Sequence, residues 1–335
     1  MSTPNIVHLN DIQGRHRLLK RWENLRHGSV HWFAECFAEF VGVFLYVYAG
    51  VGSQVLFIVS GILKEQGLSS VFQVGMAYAG GIVAALCIAL PVSGGHINPA
   101  VTIAFCVMKG FPPVKAIRYI IAQILGGYIA CLLIYVQYRD FIKLAEAALE
   151  SVGPGVLEAT LFTPNGPAGA FGLYVTPGTN LGRVFLNEFI TDIMIVMVIW
   201  NCLDPTNLMV PPFAVPWAIG LVYAVAIWGY SVPGLAANTA RDVGGRLAAL
   251  TIWGMDASGG KYAAITALTN ILSTIVAVVL YELFFVDYAR VISSAHLEMI
   301  QAHHNHARTP NRELASQLET TNNSSEKDQI EVERV

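Results

Sequence analysis

Apolar residues fall in long unbroken runs along this chain, not in the short alternations of half-buried strands. Runs at about 32–60, 69–91, 115–137, 184–203, 213–232 and 262–286 each reach the roughly 20 residues a helix needs to cross the hydrocarbon core. Two further stretches, about 98–109 and 238–250, are too short. At ~1.5 Å per residue each covers roughly 18 Å, near half a bilayer. The pattern predicts an all-α membrane protein with six transmembrane helices and two half helices.

The polar segments divide the chain further. Residues 1–31 form a basic arm carrying Arg15, Arg17, Lys20, Arg21 and Arg26. Lys109, Lys115 and Arg118 gather at the entry to the third span, whereas Lys64, Arg139, Lys143 and Arg183 are spread along the other side. This bias puts both termini in the cytoplasm, and an even number of spans agrees with that. Residues 138–183, rich in Gly and Pro, are then a long extracellular loop, either folded over a pore mouth or a solvated connector. Residues 287–335 read as a disordered cytoplasmic tail. No h-region or cleavage site precedes the first span, so no cleaved leader is expected.

The runs repeat. Ala38-Glu39-Phe40 in the first span matches Asn187-Glu188-Phe189 in the fourth, and each leads through a second span to an Asn that opens a half helix. The Glu-to-Asn separations are 59 and 50 residues. With three spans per half, residues 32–137 and 184–286 must be inverted repeats, and their half helices enter from opposite faces to meet near the midplane. Non-helical backbone at that depth must be buried or line a cavity. Glu39 and Glu188, expensive inside a bilayer, are expected to accept backbone N–H groups of the broken segments, with His96 also bracing; a proton relay is the alternative. Asp192 has no account.

The first half helix opens with Ser93-Gly94-Gly95-His96-Ile97-Asn98-Pro99-Ala100-Val101-Thr102, the second with Gly234-Leu235-Ala236-Ala237-Asn238-Thr239-Ala240-Arg241-Asp242. Asn is a good N-cap, and Pro99 at the first helical position loses no intrahelical bond. With its oxygen tied to backbone, each Asn amide is left as a donor. Two such donors from opposite sides bond the oxygen of a passing water or alcohol. Both helix N-termini also repel cations there, each with about half a positive charge. Arg241, inside an apolar stretch, is expected to face a wet lumen and donate to solute oxygens, while Arg246 reads as a snorkelling interface arginine.

Composition supports this picture. Residues are 54% hydrophobic and 13% charged, with mean hydropathy +0.53. A net charge of −3 gives no reason to expect a nucleic-acid partner. Cys36, Cys87, Cys106, Cys131 and Cys202 lie in apolar runs without CxxC spacing, so neither a disulfide framework nor a metal site is expected. His303, His304 and His306 read as solvated, and Asn322-Asn323-Ser324 as an unused glycosylation sequon.

These motifs identify the chain as resembling the aquaporin (major intrinsic protein) family, in its aquaglyceroporin or glycerol facilitator branch, over roughly residues 32–286. Ser93–Thr102 is similar to the family's first Asn-Pro-Ala motif; the second reads Asn238-Thr239-Ala240. Arg241-Asp242-Val243-Gly244-Gly245-Arg246 resembles Arg-Asp-x-Gly-Pro-Arg, whose Asp marks the glycerol-conducting branch. The resemblance implies a selectivity filter of Tyr78, Ala226, Leu235 and Arg241. Water-specific members typically carry His where Ala226 stands, so a wider filter is implied. It further implies a passive, cofactor-free channel for glycerol, water and other small neutral solutes, not an enzyme, built as a homotetramer in the plasma membrane. A water-dominated channel is the nearest alternative. An ion-coupled transporter using Glu39, Glu188 and Asp192 is a rival from another class.

Overall fold

The computed structural model describes residues 9–232 and 234–304; His306 and the Asn322 sequon lie outside these. Two compact units result, residues 32–289 and the flanking terminal segments. In the terminal unit, α1 (Leu9–Ile12) and α2 (Arg17–His27) precede the membrane unit, and residues 294–304 are helical. A disordered tail was expected from residue 287. The difference follows from Ala295, Leu297, Glu298, Met299 and Gln301, all strong helix formers, behind a Ser293 whose Oγ accepts from His296 N at 3.3 Å.

Among the described residues, six helices are long and apolar enough to cross a membrane. They are α3 (His31–Leu63), α4 (Val71–Ser93), α6 (Pro113–Val152), α8 (Leu181–Leu203), α9 (Val215–Tyr230) and α11 (Gly260–Phe284). The half helices are α5 (Pro99–Lys109) and α10 (Thr239–Trp253), and α7 (Val156–Leu161) is one short turn of loop. Helix α6 departs most from expectation: it continues 15 residues past the expected end at 137. Beyond Tyr138 the sequence is rich in Ala, Leu, Glu and Lys, which propagate a helix whether or not they are apolar enough to stay in lipid. Gly153-Pro154 then stops it. The expected loop of residues 138–183 is therefore helical in its first third.

Packing depends on small residues. Each half helix lies against the third span of the opposite half, α5 on α11 and α10 on α6. A Cβ on Gly126 would sit 2.4 Å from the Phe40 carbonyl oxygen, and one on Gly127 2.8 Å from that of Ala240. A Cβ on Gly244 would likewise come 2.7 Å from the Tyr128 backbone nitrogen of α6. Without a hydrophobic force between helices in lipid, such backbone approach supplies the van der Waals contact. Outward, Phe37, Ile117, Ile121, Leu125, Leu133, Val136, Trp217 and Leu221 are exposed, an apolar surface suited to acyl chains and unsuited to water.

Candidate pore

Both half helices begin in the same way. Asn98 and Asn238 are extended N-caps (φ −152° and −158°). Asn98 Oδ1 accepts from Ala100 N at 2.9 Å; Asn238 Oδ1 accepts from Ala240 N at 2.9 Å and Arg241 N at 3.3 Å. The residue before each cap, Ile97 or Ala237, has a left-handed φ, 41° and 56°. This conformation is unfavourable for L-residues, and most of all for β-branched Ile. It turns the chain so that successive N–H groups face one side.

A buried carboxylate meets those N–H groups in each half. Glu39 Oε1 accepts from Ser93 Oγ (2.6 Å) and His96 N (2.9 Å), and Oε2 from Ile97 N (2.7 Å) and Gln123 Nε2 (2.7 Å). Glu188 accepts from Ala236 N (2.8 Å) and Ala237 N (2.8 Å). His96 adds its own anchor: Nδ1 lies 3.3 Å from Thr102 Oγ1, and the ring packs between Phe105, Phe111 and Tyr119.

The two loops also touch. Asn238 Nδ2 donates to Ile97 O at 3.0 Å, so one of its two amide hydrogens is spent on the opposite loop. Thr239, where its counterpart is Pro99, sends Oγ1 to Ala267 O of α11 at 3.1 Å. The hydroxyl thus fixes the second half helix by a bond proline cannot make. Asp192 lies buried behind this loop, accepting from Ser273 Oγ at 3.1 Å.

Of the expected filter residues, the structure brings Tyr78 and Arg241 together. Arg241 Nε donates to Tyr78 Oη (3.0 Å), Nη1 to Phe171 O (2.6 Å), and Nη2 to Ala170 O (3.1 Å) and Gln54 Oε1 (3.2 Å). Four of the five guanidinium N–H groups are thereby held, two of them by carbonyls of the loop that follows α7. Tyr78 lies flat over Gly50 of α3, where a Cβ would come within 2.2 Å of the ring. Ala226 is wholly buried and Leu235 half-buried. Arg246 does not snorkel. It is 8% exposed, pairs with Asp242 at 2.9 Å, donates to Leu173 O at 2.9 Å and lies over the Tyr174 ring. Asp242, four residues earlier on the same face, also accepts from Thr266 Oγ1 at 2.8 Å; the pair forms a buried brace. Burial pushes the Tyr174 phenol, in the loop above, up to about 12.

Sequence reasoning missed Gln54, whose Nε2 also reaches Gly169 O at 3.2 Å, and Gln123. Both are polar residues inside crossing runs, and that was the available signal. A cavity of about 40 Å³ adjoins the Asn pair, lined by Tyr46, Leu86, Ile97, Asn98, Tyr223 and Asn238 among others. Tyr78, Ala226, Leu235 and Arg241 do not line it. Among the described residues no cluster of His, Cys, Asp or Glu is placed to hold a metal ion.

Crossing helices with two half helices capped at their centre define an integral multi-pass membrane protein of the channel-forming kind. The chain belongs to the major intrinsic protein family, whose family model matches residues 26–281. It is 53% identical over 310 residues to Aquaporin-3 of Laccaria bicolor, covering 92% of this chain and 93% of that one. It is 32% identical over 233 residues to the glycerol uptake facilitator protein of Haemophilus influenzae, covering 68% and 83%. The fold is similar to that of the X-ray structure of the aquaglyceroporin from Plasmodium falciparum, with TM-score 0.63 and 21% identity over 75% of this chain and 96% of that one.

Proposed function

We propose that the protein is a passive channel for glycerol, water and other small neutral solutes that excludes protons and ions. The carrying observation is the meeting of two half-helix N-termini at Asn98 and Asn238, bridged by the bond from Asn238 Nδ2 to Ile97 O. The fields of both helices converge there, so a cation is repelled where it has least water, while a neutral oxygen is a good acceptor. In this reading Glu39, Glu188 and His96 brace the loops, and Pro99, Ala100, Thr239 and Ala240 form the first turns behind the caps.

Tyr78, Ala226, Leu235 and Arg241 form the filter. Arg241, with one Nη1 hydrogen uncommitted, donates to solute oxygen; Ala226 leaves room for a carbon chain, and Leu235 supplies an apolar wall. Relatives named for glycerol uptake support the glycerol assignment. A water-dominated pore is the second reading, favoured by Tyr78 Oη lying 3.0 Å from Arg241 Nε. We place both termini in the cytoplasm, the 138–183 segment outside the cell, and a homotetramer with one pore per subunit in the plasma membrane. The protein needs no cofactor and catalyses no reaction.

Proteoliposome swelling tests this. Vesicles with the protein should re-swell in glycerol but not in an impermeant osmolyte, at a rate indifferent to proton and sodium gradients. Water flux without glycerol flux selects the second reading. Flux that follows an ion gradient removes the channel.

A further inference from the structure

The cavity beside the Asn pair is mostly hydrocarbon, yet two tyrosines line it. Tyr46 comes from α3, seven residues after Glu39, and Tyr223 from α9, three before Ala226. The Tyr46 hydroxyl is buried and has no hydrogen-bond partner, although the residue is only 3% exposed. A phenol so placed is costly unless something in the cavity satisfies it. Tyr223 Oη donates to Ala237 O across a long 3.4 Å, and the residue lines the same cavity as Asn98 and Asn238. A phenol has one hydrogen to give and lone pairs to accept with. Having given its hydrogen to Ala237, the Tyr223 oxygen keeps lone pairs with which to accept from a solute in that cavity.

Resting on the channel reading, we propose that Tyr46 and Tyr223 make the Asn pair a second selection point, one that favours solutes carrying more than one hydroxyl. Tyr223, on the wall that also carries Asn98 and Asn238, keeps an acceptor for a solute hydroxyl. Tyr46, on the wall of the same small cavity, brings an unpartnered hydroxyl. A polyol bonds the Asn amides with one hydroxyl and Tyr46 with the next, so it crosses the midplane without losing its hydrogen bonds. A water molecule makes these bonds one after another and gains less from the second phenol. Loss of either hydroxyl therefore penalises polyols more than water.

The test is stopped-flow light scattering on proteoliposomes holding the parent, Tyr46→Phe or Tyr223→Phe protein at matched density, with water and glycerol measured on each. Tyr46→Phe should lower glycerol permeability by roughly three- to tenfold, the range one hydrogen bond commands, with water permeability within about twofold of the parent. Tyr223→Phe should likewise lower the glycerol-to-water permeability ratio. Tyr46→His, which keeps a ring and a hydrogen-bonding atom, should hold the parental glycerol-to-water ratio. If Tyr46→Phe does not insert, Tyr46→Leu carries the same expectation. An unchanged ratio in the Phe or Leu variant of Tyr46, or in Tyr223→Phe, overturns the proposal while leaving the channel intact. A parent that conducts water but no glycerol overturns both the glycerol assignment and the polyol selection, a result distinct from either variant failing.

Discussion

Replacing Glu39 by Gln keeps the length of the side chain and removes one acceptor from a place where two oxygens take four donors. With the amide oxygen in the Oε1 position, Ser93 Oγ and His96 N keep their partner, while Ile97 N and Gln123 Nε2 now face an NH₂ group. Gln123 can turn its own amide, since its Oε1 has no other partner, at the loss of its 3.0 Å bond to Thr102 Oγ1. Ile97 N has no such freedom. A buried N–H left without an acceptor costs about 1–3 kcal/mol, and neutral acceptors in place of a carboxylate weaken the two surviving bonds by roughly 1 kcal/mol each. The expected destabilisation is about 3–5 kcal/mol. At about 2–4 °C per kcal/mol for a unit of this size, the thermal midpoint in detergent should fall by at least about 6 °C. Tryptophan fluorescence on heating measures it. A midpoint within about 2 °C of the parent would falsify the view that the Glu39 carboxylate holds the left-handed turn at Ile97.

Three further outcomes follow from the same structure. Gln54→Leu takes an acceptor from Arg241 Nη2 and Tyr78 Oη and should change the glycerol-to-water permeability ratio at least about twofold; a parental ratio would show that Gln54 has no part in holding the filter. Thr239→Val removes only the bond to Ala267 O, worth about 0.5–1.5 kcal/mol, so the midpoint should drop by roughly 2–4 °C with permeability unchanged. Gly126→Ala puts a methyl 2.4 Å from Phe40 O, a backbone clash of about 1–3 kcal/mol or more, and should sharply lower the yield of monodisperse protein on size-exclusion chromatography. Normal yield would mean α3 and α6 do not depend on that approach.

The crossing helices were legible because length and apolarity alone decide whether a segment stays in lipid, and the half helices because an Asn cap precedes a run too short to cross. The far end of α6 was not legible. Tyr138 to Val152 is polar enough to leave the bilayer and helical enough to continue, and hydropathy reports only the first property. At the pore, the bonds of Glu39 and Glu188 to loop N–H groups lie where the broken segments led us to look. The reading of Arg246 erred by weighing its neighbours in lipid and not Asp242 one turn away. Tyr46, Gln54, Gln123 and Tyr223 were passed over because a polar residue in an apolar run shows its purpose only when its partner, often on a distant helix, is known.

Arg241 is held by the carbonyls of Ala170 and Phe171 and, through Gln54, by the carbonyl of Gly169. Three successive peptide units of a buried connecting segment would thus form part of the wall of the proposed filter. A segment outside the helices can open separately from them, so the discrimination of the proposed filter depends on that segment staying packed. Selectivity then has a lifetime and a temperature dependence of its own, separate from those of the fold. Exchanging the loop with that of a relative would graft a new filter wall onto unchanged filter side chains.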